Sequence, residues 1–143
     1  MTQSMSSGLV GRSVEYLIER VEWAEKRTLN ALRDEAYDNA KAHGFHDVSR
    51  TVGDAMMLIT TEVGEAFEAF REGSPVSEMR YAPLDESKGE RVGKPIGVPS
   101  ELADIVIRVL DFCGEHDIDI ERVVIEKMAY NRSRPFRHGN KAL

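Results

Sequence analysis

The sequence predicts an all-α protein with four helical segments, and three observations support this fold class. Apolar side chains recur every three or four residues along most of the chain, which places them on one face of a helix. No segment has the convincing alternation of apolar and polar residues that marks a strand. Ser, Thr, Asp and Gly stand where the periodic segments begin and end, as expected at helix caps. A chain of 143 residues fits one domain, which we predict to span residues 1–143.

The first helical segment is predicted from about Ser13 to His43, where His43-Gly44 is a typical C-terminal stop. The pattern fits one long helix or two shorter helices that meet near Asn30. Trp23 falls almost opposite the apolar stripe of this segment, and we expect it to contact a second subunit. The stripe itself consists of Val14, Leu17, Ile18, Val21, Ala24, Thr28 and Leu32.

The other three helical segments have recognisable signals at their ends. Gly73 ends the second segment, Ser100 is a plausible N-cap for the third, and Asp119 is a plausible cap for the fourth. The predicted boundaries are Thr51 or Val52 to Glu72, Glu101 to about Gly114, and about Ile120 to Arg132.

Residues at about 74–98 form a predicted irregular insertion between the second and third segments. They include Gly, Pro, Ser and mixed charges, with few large apolar side chains. The insertion is too long for a tight connection between helices. Two interpretations stay open: a disordered surface loop, or a flap over a site on the two helices that it joins.

The composition of the chain excludes two classes of partner. A formal net charge of -6 argues against a nucleic-acid-binding surface. The sequence has neither a signal peptide nor an apolar run long enough to span a membrane, so we predict no membrane partner and a cytoplasmic location. Cys113, the only cysteine, lies in an apolar stretch and is predicted to be a core residue in a reducing compartment.

Two acidic pairs lie inside the apolar second and third segments, namely Glu62-x-x-Glu65 and Glu101-x-x-Asp104. Each spacing puts two carboxylates on one helix face, one turn apart. Burying a carboxylate is costly unless a positive charge compensates for its lost hydration. Four such acids on core helices therefore predict a cation between them.

The helix faces separate these acids from solvated ones. On the second segment, Glu62 and Glu65 fall beside the main apolar face, whereas Glu68 falls on the opposite side and is predicted to be solvated. The third segment is apolar around most of its circumference and is predicted to be buried. Its polar strip includes Arg108, which can pair with Glu101 and Asp104 along the helix but cannot neutralise four acids. The main apolar face of the second segment consists of Met56, Ile59, Val63, Ala66, Phe67 and Phe70.

The types of ligating residue indicate which cation fits. Ligation by carboxylates alone suits Mg²⁺, with Mn²⁺ as the second option. A dinuclear iron bundle needs a Glu-x-x-His pair on each of two helices, and no His of this chain follows an acid by three residues. The scarcity of Cys and His on these segments argues against zinc. Because Mg²⁺ held by carboxylates usually completes its shell with water and phosphates, the acids predict a phosphate-handling enzyme.

The chain ends in a basic tail at about residues 132–143, although the protein is acidic overall. Lys127 and Asn131 share one helix face just before this tail. Arg134 can bind a phosphate through two N–H groups, and Lys141 can act as a point charge. We predict that these four residues bind the phosphates or the sugar of a nucleotide. The alternative is an ordinary solvated terminus.

Together these motifs resemble those of the MazG-like nucleotide pyrophosphohydrolases, in the all-α NTP pyrophosphatase superfamily. The resemblance rests on LITTEVGEA at residues 58–66, ELADIVIR at residues 101–108, and the tail Lys127-x-x-x-Asn131-x-x-Arg134-Pro135-x-x-His138-Gly139-x-Lys141. It covers about residues 45–141 without the insertion. Thr61 stands where the family often has a further acid, and the loop before the third segment is longer than usual.

The resemblance implies a four-helix bundle-like protomer that forms a homo-oligomer, either a dimer or a tetramer. It also implies Mg²⁺-dependent hydrolysis of a nucleoside triphosphate, (d)NTP, to (d)NMP and pyrophosphate by attack at the α-phosphorus. Glu62, Glu65, Glu101 and Asp104 would ligate one or more Mg²⁺, and either Glu62 or Glu65 would also act as general base. The alternative is a non-enzymatic helical module that retains the fold and senses nucleotides or binds a partner protein, which Thr61 favours.

Overall fold

The computed structural model describes residues 28–84, 87 and 93–135, and these residues are mostly helical. The first part of the predicted first segment, including Trp23, lies outside the described residues. The all-α prediction is confirmed for the part of the chain that the structure describes. Its helices are α1 (Leu29–Ala42), α2 (Val52–Arg71), α3 (Val98–Glu115) and α4 (Ile120–Ser133), and its strands are β1 (Arg80–Tyr81) and β2 (Pro95–Ile96).

Local side-chain chemistry sets the ends of α1 and α2. Thr28 is the N-cap of α1, and its hydroxyl accepts a hydrogen bond from the N–H of Ala31 at 3.1 Å. The helix therefore begins close to the break that the sequence allowed near Asn30. At α2, Thr51 and Asp54 form a reciprocal capping box. Gly44 and Gly73 follow the C-caps of these two helices with positive φ angles of 77° and 84°, which glycine adopts without strain.

The third helix begins earlier than the sequence predicted. It starts at Val98 rather than Glu101, so Ser100 lies inside the first turn and is not the N-cap. The Ser100 hydroxyl instead donates to the carbonyl of Pro95 at 3.1 Å. Pro99 fits the first turn because the N–H that it lacks would have had no partner within the helix. For α4 the predicted cap is present, since the Asp119 carboxylate accepts from the N–H of Arg122.

The predicted insertion contains a short antiparallel ladder, which the sequence pattern did not reveal. Arg80 pairs with Ile96, and Tyr81 pairs with Pro95. Strands of two residues are too short to show the alternation that identifies a strand in a sequence. The ladder brings the residues that follow α2 next to the residues that precede α3.

Backbone contacts group the chain into two compact units, and α3 contributes to both. The described residues of the first unit fall within 49–109, and those of the second are 28–48 and 110–135. In the second unit, α1 packs against α4. The last turn of α3 also lies against α1 there, because a Cβ atom at Gly114 would come within 2.5 Å of the Cβ of Tyr37. The prediction of one domain over residues 1–143 stays a prediction.

Among the residues that the structure describes, the buried apolar ones are few and mostly small. Cys113 is buried, as predicted, but α3 as a whole is not. Leu102, Val106 and Ile107 are each about half exposed, at 49%, 52% and 48%. The main apolar face of α2 is also largely exposed: Met56, Val63, Phe67 and Phe70. The hydropathy pattern identifies an apolar face but does not identify what covers it, which is why the prediction that α3 is buried was wrong.

Candidate metal centre

Glu62 is a buried carboxylate on α2, with only 5% of the residue exposed. It lies on the face that the sequence placed beside the main apolar one. The small side chains of Ala69, which is partly buried on the same face, and of Ala66, which is buried on the adjoining main apolar face, lie next to it around the helix. This narrow stripe leaves room beside the carboxylate for groups from another helix.

Glu101 and Asp104 come from the first turns of α3, where both are partly buried. One carboxylate oxygen each from Glu62, Glu101 and Asp104 can be chosen so that all three atoms lie within 4.8 Å of one another. We call these three residues the acidic triad. Two helices that are far apart in sequence thus bring together three of the four acids that the sequence singled out.

Glu65, the fourth predicted ligand, is not a member of the acidic triad, and its side chain is exposed. Its charge nevertheless contributes to the raised pKa of Glu101, so it lies on the same side of α2 as the triad. Glu68 is exposed, as predicted, and pairs with Arg71 at 3.2 Å. The helical-wheel separation of Glu68 from the other acids of α2 therefore agrees with the structure.

The acidic triad is electrostatically strained. Burial raises the pKa of Glu101 above its ordinary value, and the neighbouring charge of Asp104 raises it further. Burial also raises the pKa of Asp104, and the charge of Glu62 adds to this effect. Raised carboxylate pKa values mean that the charged forms are unfavourable as they stand. A proton or a metal cation relieves this repulsion.

Arg108 is the cation in contact with the triad. Its Nε donates to Oε1 of Glu62 at 2.5 Å. The sequence placed Arg108 on the same helix strip as Glu101 and Asp104 and allowed it to pair with them. The structure instead shows the pair between helices, with Glu62 of α2. Helical spacing reveals neighbours on one helix, whereas a partner across two helices depends on how they pack.

Lys94 is a second cation near the triad, and the sequence analysis did not select it. It is exposed, directly before β2, and its positive charge lowers the pKa values of both Glu101 and Asp104. In the sequence, its position in the insertion, shortly before α3, was the feature that could have identified it. The two interpretations of the insertion, a disordered surface loop and a flap over the site, both stay predictions.

The predicted phosphate-binding residues belong to the second unit, and the acidic triad belongs to the first. Lys127 and Asn131 are exposed on α4, and Arg134 is its C-cap. The Lys127 ammonium lies 5.3 Å from the ring centre of Tyr130, and the Arg134 guanidinium lies 5.9 Å from it. Lys141 lies outside the described residues. The role of these four residues in phosphate binding stays a prediction.

A second ion cluster, which the sequence analysis missed, surrounds His46 in the second unit. Its Nε2 lies 2.7 Å from Oδ1 of Asp111, and its Nδ1 lies 3.6 Å from Oε1 of Glu115. The ring of Tyr37 meets the imidazole edge-on, with ring centres 5.0 Å apart. The two carboxylates contact opposite nitrogens of the ring, so the imidazole itself stands between them.

Comparisons of the chain with protein-family models, curated proteins and solved structures found no match. Within residues 28–84, 87 and 93–135, no helix combines the length and the apolar character needed to cross a membrane. The functional interpretation therefore depends on the chemistry of the acidic triad and on the motifs of the sequence.

Proposed function

We propose that this protein is a Mg²⁺-dependent nucleoside triphosphate pyrophosphohydrolase, which converts a (d)NTP to (d)NMP and pyrophosphate. The observation that carries the proposal is the convergence of Glu62, Glu101 and Asp104 from α2 and α3. These three acids belong to the two sequence motifs that resemble the MazG-like enzymes. The proposal thus has support from the geometry and from the sequence separately.

The acidic triad fits a hard divalent cation. Its donor atoms are all carboxylate oxygens, which suit Mg²⁺ and Mn²⁺. Octahedral Mg²⁺ with ligands at about 2.1 Å has neighbouring ligand atoms about 3 Å apart and opposite ones about 4 Å apart. Donor atoms within 4.8 Å of one another need only small side-chain movements to reach that geometry. Burial and the neighbouring acids raise the pKa values of Glu101 and Asp104, so a bound cation would favour their charged forms.

A bound Mg²⁺ would orient the triphosphate and lower the pKa of a bound water. The chain's own residues would do the rest. Glu62, Glu101 and Asp104 would hold the cation, with Glu65 as a further ligand. Glu65 or Glu62 would accept the proton of the water that attacks the α-phosphorus, and the exposure of Glu65 makes it the more accessible of the two.

The cationic residues would bind the phosphates and offset the charge that develops on the leaving pyrophosphate. Lys127, Asn131, Arg134 and Lys141 are proposed for this role on the basis of the tail motif. We propose the same role for Lys94, because its positive charge lowers the pKa values of two acids of the triad.

We propose that the protein acts as a homo-oligomer in the cytoplasm. The exposed apolar side chains of α2 and α3 support self-association, because large apolar patches on a single chain are typical of interfaces. Light scattering at micromolar concentration tests this assembly, and a mass of 16.1 kDa would contradict it.

The decisive experiment is a panel of NTPs and dNTPs incubated with the protein and Mg²⁺, with the products separated by chromatography. We expect monophosphate and pyrophosphate from at least one substrate. Diphosphate and orthophosphate would indicate attack at the γ-phosphorus and would contradict the proposal. The Asp104→Asn variant is the control for contaminating phosphatases.

The second candidate is a non-enzymatic module that binds a nucleotide or a protein. Arg108 favours it, because the chain itself already supplies a cation to Glu62. Calorimetry with each nucleotide and Mg²⁺ distinguishes the two candidates. Nucleotide binding without turnover of any member of the panel would replace the enzymatic proposal with this one.

A further inference from the structure

The pair between Glu62 and Arg108 is more buried than the pair between Glu68 and Arg71 on the same α2. The Glu62 side chain is 7% exposed, and that of Arg108 is 37% exposed. Arg71 and Glu68, on the same α2, form a pair in which both side chains are more than half exposed. A buried carboxylate depends on its partner far more than an exposed one does, because water cannot replace that partner.

A divalent cation at the acidic triad would compete with this pair. The cation would bind the carboxylate that already accepts the Arg108 Nε–H, and the two positive charges would repel each other. An arginine does not lose its proton in a protein, so it cannot relieve the repulsion by becoming neutral. Its partly exposed side chain can relieve it by moving into water.

We infer that Arg108 is the resident counter-ion of Glu62 in the cation-free protein and that it leaves Glu62 when the divalent cation binds. The inference rests on the proposed function only in placing a cation at the acidic triad. Once released, the guanidinium stays on α3 close to Asp104 and can bind phosphate oxygens through two N–H groups. Binding of the cation thereby makes the guanidinium of Arg108 available to bind phosphate.

Nuclear magnetic resonance on the full-length ¹⁵N-labelled protein tests this exchange directly. The Nε–H signal of Arg108 is assigned by its disappearance in the Arg108→Lys variant. During titration with Mg²⁺ alone, we expect this signal to move toward the position of solvated arginines and to exchange faster with water. The midpoint should match that of Mg²⁺ binding measured by calorimetry. An unchanged signal at saturating Mg²⁺ would show that Arg108 stays on Glu62 and would overturn the inference.

The affinity of the Arg108→Gln variant for Mg²⁺ provides the second measurement. If the cation has to displace Arg108, removing the guanidinium should tighten Mg²⁺ binding by roughly tenfold or more. Weaker binding would mean that Arg108 orients Glu62 for the cation, and it would overturn the inference. Arg71→Gln is the matched control, because it removes the same charge from an exposed pair on α2, and its affinity should equal that of the wild type. Should Arg108→Gln fail to fold, the titration of the wild type decides alone.

The outcomes separate this inference from the proposed function. Mg²⁺ binding with an immobile Arg108 overturns the inference and leaves the enzymatic proposal intact. Displacement of Arg108 without turnover of any nucleotide supports the inference and removes the enzyme. If neither Mg²⁺ nor Mn²⁺ binds at millimolar concentration, the inference and the metal role both fail.

Discussion

Two ion clusters on α3, one in each unit, combine acids with basic side chains but arrange them differently. In the second unit, the His46 ring stands between Asp111 and Glu115, so each acid faces the imidazole. In the first unit, three carboxylates approach one another, and Arg108 contacts Glu62. A basic side chain placed between two acids compensates for their charge without an ion from solution. Acids that face one another create a demand for a cation from solution.

Two acids of the first cluster have raised pKa values. The pKa values of Glu101 and Asp104 are raised by burial first and by neighbouring acids second. The positive charges of Lys94 and Arg108 lower the pKa of Asp104, but burial and the charge of Glu62 leave it raised. We therefore interpret the His46 cluster as structural and the acidic triad as functional, and each prediction below tests that contrast.

The largest expected effect is on catalysis, and it compares one acid from each cluster. Asp104→Asn should lower kcat/KM by at least about 100-fold, because it removes a charged cation ligand. Glu65→Gln should also lose turnover. Asp111→Asn should stay within about threefold of the wild type, because it affects a structural contact. Release of pyrophosphate from the best substrate measures all three.

Glu68→Gln is the control for the helix register of α2, and it should leave turnover unchanged because Glu68 is exposed and pairs with Arg71. An equal loss of activity in Asp104→Asn and Asp111→Asn would remove the distinction between the clusters. Loss in Glu68→Gln would contradict the placement of the site on the opposite face of α2.

The next effect concerns packing around the His46 cluster. Gly114→Ala should destabilise the protein by about 1–3 kcal/mol, because the new Cβ would overlap the Cβ of Tyr37, whose ring contacts His46. Gly64→Ala in α2 is the matched control, since among the described residues nothing beyond its chain neighbours and its own helix backbone lies within 4 Å of its Cβ position. It should stabilise the protein by about 0.5–1 kcal/mol through helix propensity. Urea unfolding measures both, and equal signs would contradict the difference in packing.

The response to Mg²⁺ follows in size. Mg²⁺ at ten to a hundred times its Kd should stabilise the folded state by about 1.4–2.7 kcal/mol. For a domain of this length, that raises Tm by about 3–8 °C. Glu101→Gln should respond less, and Asp111→Asn should respond like the wild type. The same shift in all three proteins, measured by calorimetry, would indicate non-specific ion binding.

The smallest expected effect is a pH dependence of the free energy of unfolding, with opposite signs for Glu101 and Asp119. Because the folded-state pKa of Glu101 is raised above 4.5, the folded protein binds more protons than the unfolded chain above that pH. Stability should therefore fall as pH rises from about 4.5 through the raised pKa. Glu101→Gln should lack this part of the fall, and saturating Mg²⁺ should remove it. Urea unfolding without and with Mg²⁺, from acid to neutral pH, measures the difference between the two proteins.

Asp119 in the second unit is the control with the opposite sign. Hydrogen bonds from Asn30 and from the Arg122 backbone hold its pKa below 3.8. The stability that Asp119 contributes is present above pH 3.8 and is lost as pH falls through its lowered pKa. A slope of the same sign for Glu101→Gln and Asp119→Asn, each measured relative to the wild type, would contradict the raised pKa of Glu101.

Local chemistry explains which parts of the fold were predictable from sequence. The predicted starts of α2 and α4 agree with the structure, because Thr51 and Asp119 act within one turn of their own position. Thr28, the N-cap of α1, was instead assigned to the apolar stripe of a longer segment. The helix faces that carry the acids follow from helical spacing. The prediction of Ser100 as an N-cap was wrong because Pro-Ser inside the first turn of a helix has the same sequence as Pro followed by an N-cap Ser.

Contacts between distant parts of the chain explain what was missed. The pairing of Arg108 with Glu62 depends on how α2 and α3 meet, which no spacing within one helix contains. The approach of Lys94 to the acids accompanies a two-residue ladder that is too short for a periodic signal. The exposure of Val106 and Ile107 on α3 was missed because an apolar pattern does not show which other element packs against it.

The burial of Glu62 against Arg108 also constrains how the sequence can evolve. Loss of either charge alone leaves the other buried or partly buried without its partner, and such losses typically cost about 3–5 kcal/mol. Joint replacement by two apolar residues of similar volume avoids that penalty. Sequences that descend from a common ancestor should therefore keep both charges or exchange both together. A lineage that has replaced both residues would keep the helices but lose cation binding. Positions 62 and 108 would therefore show which relatives have kept only the fold.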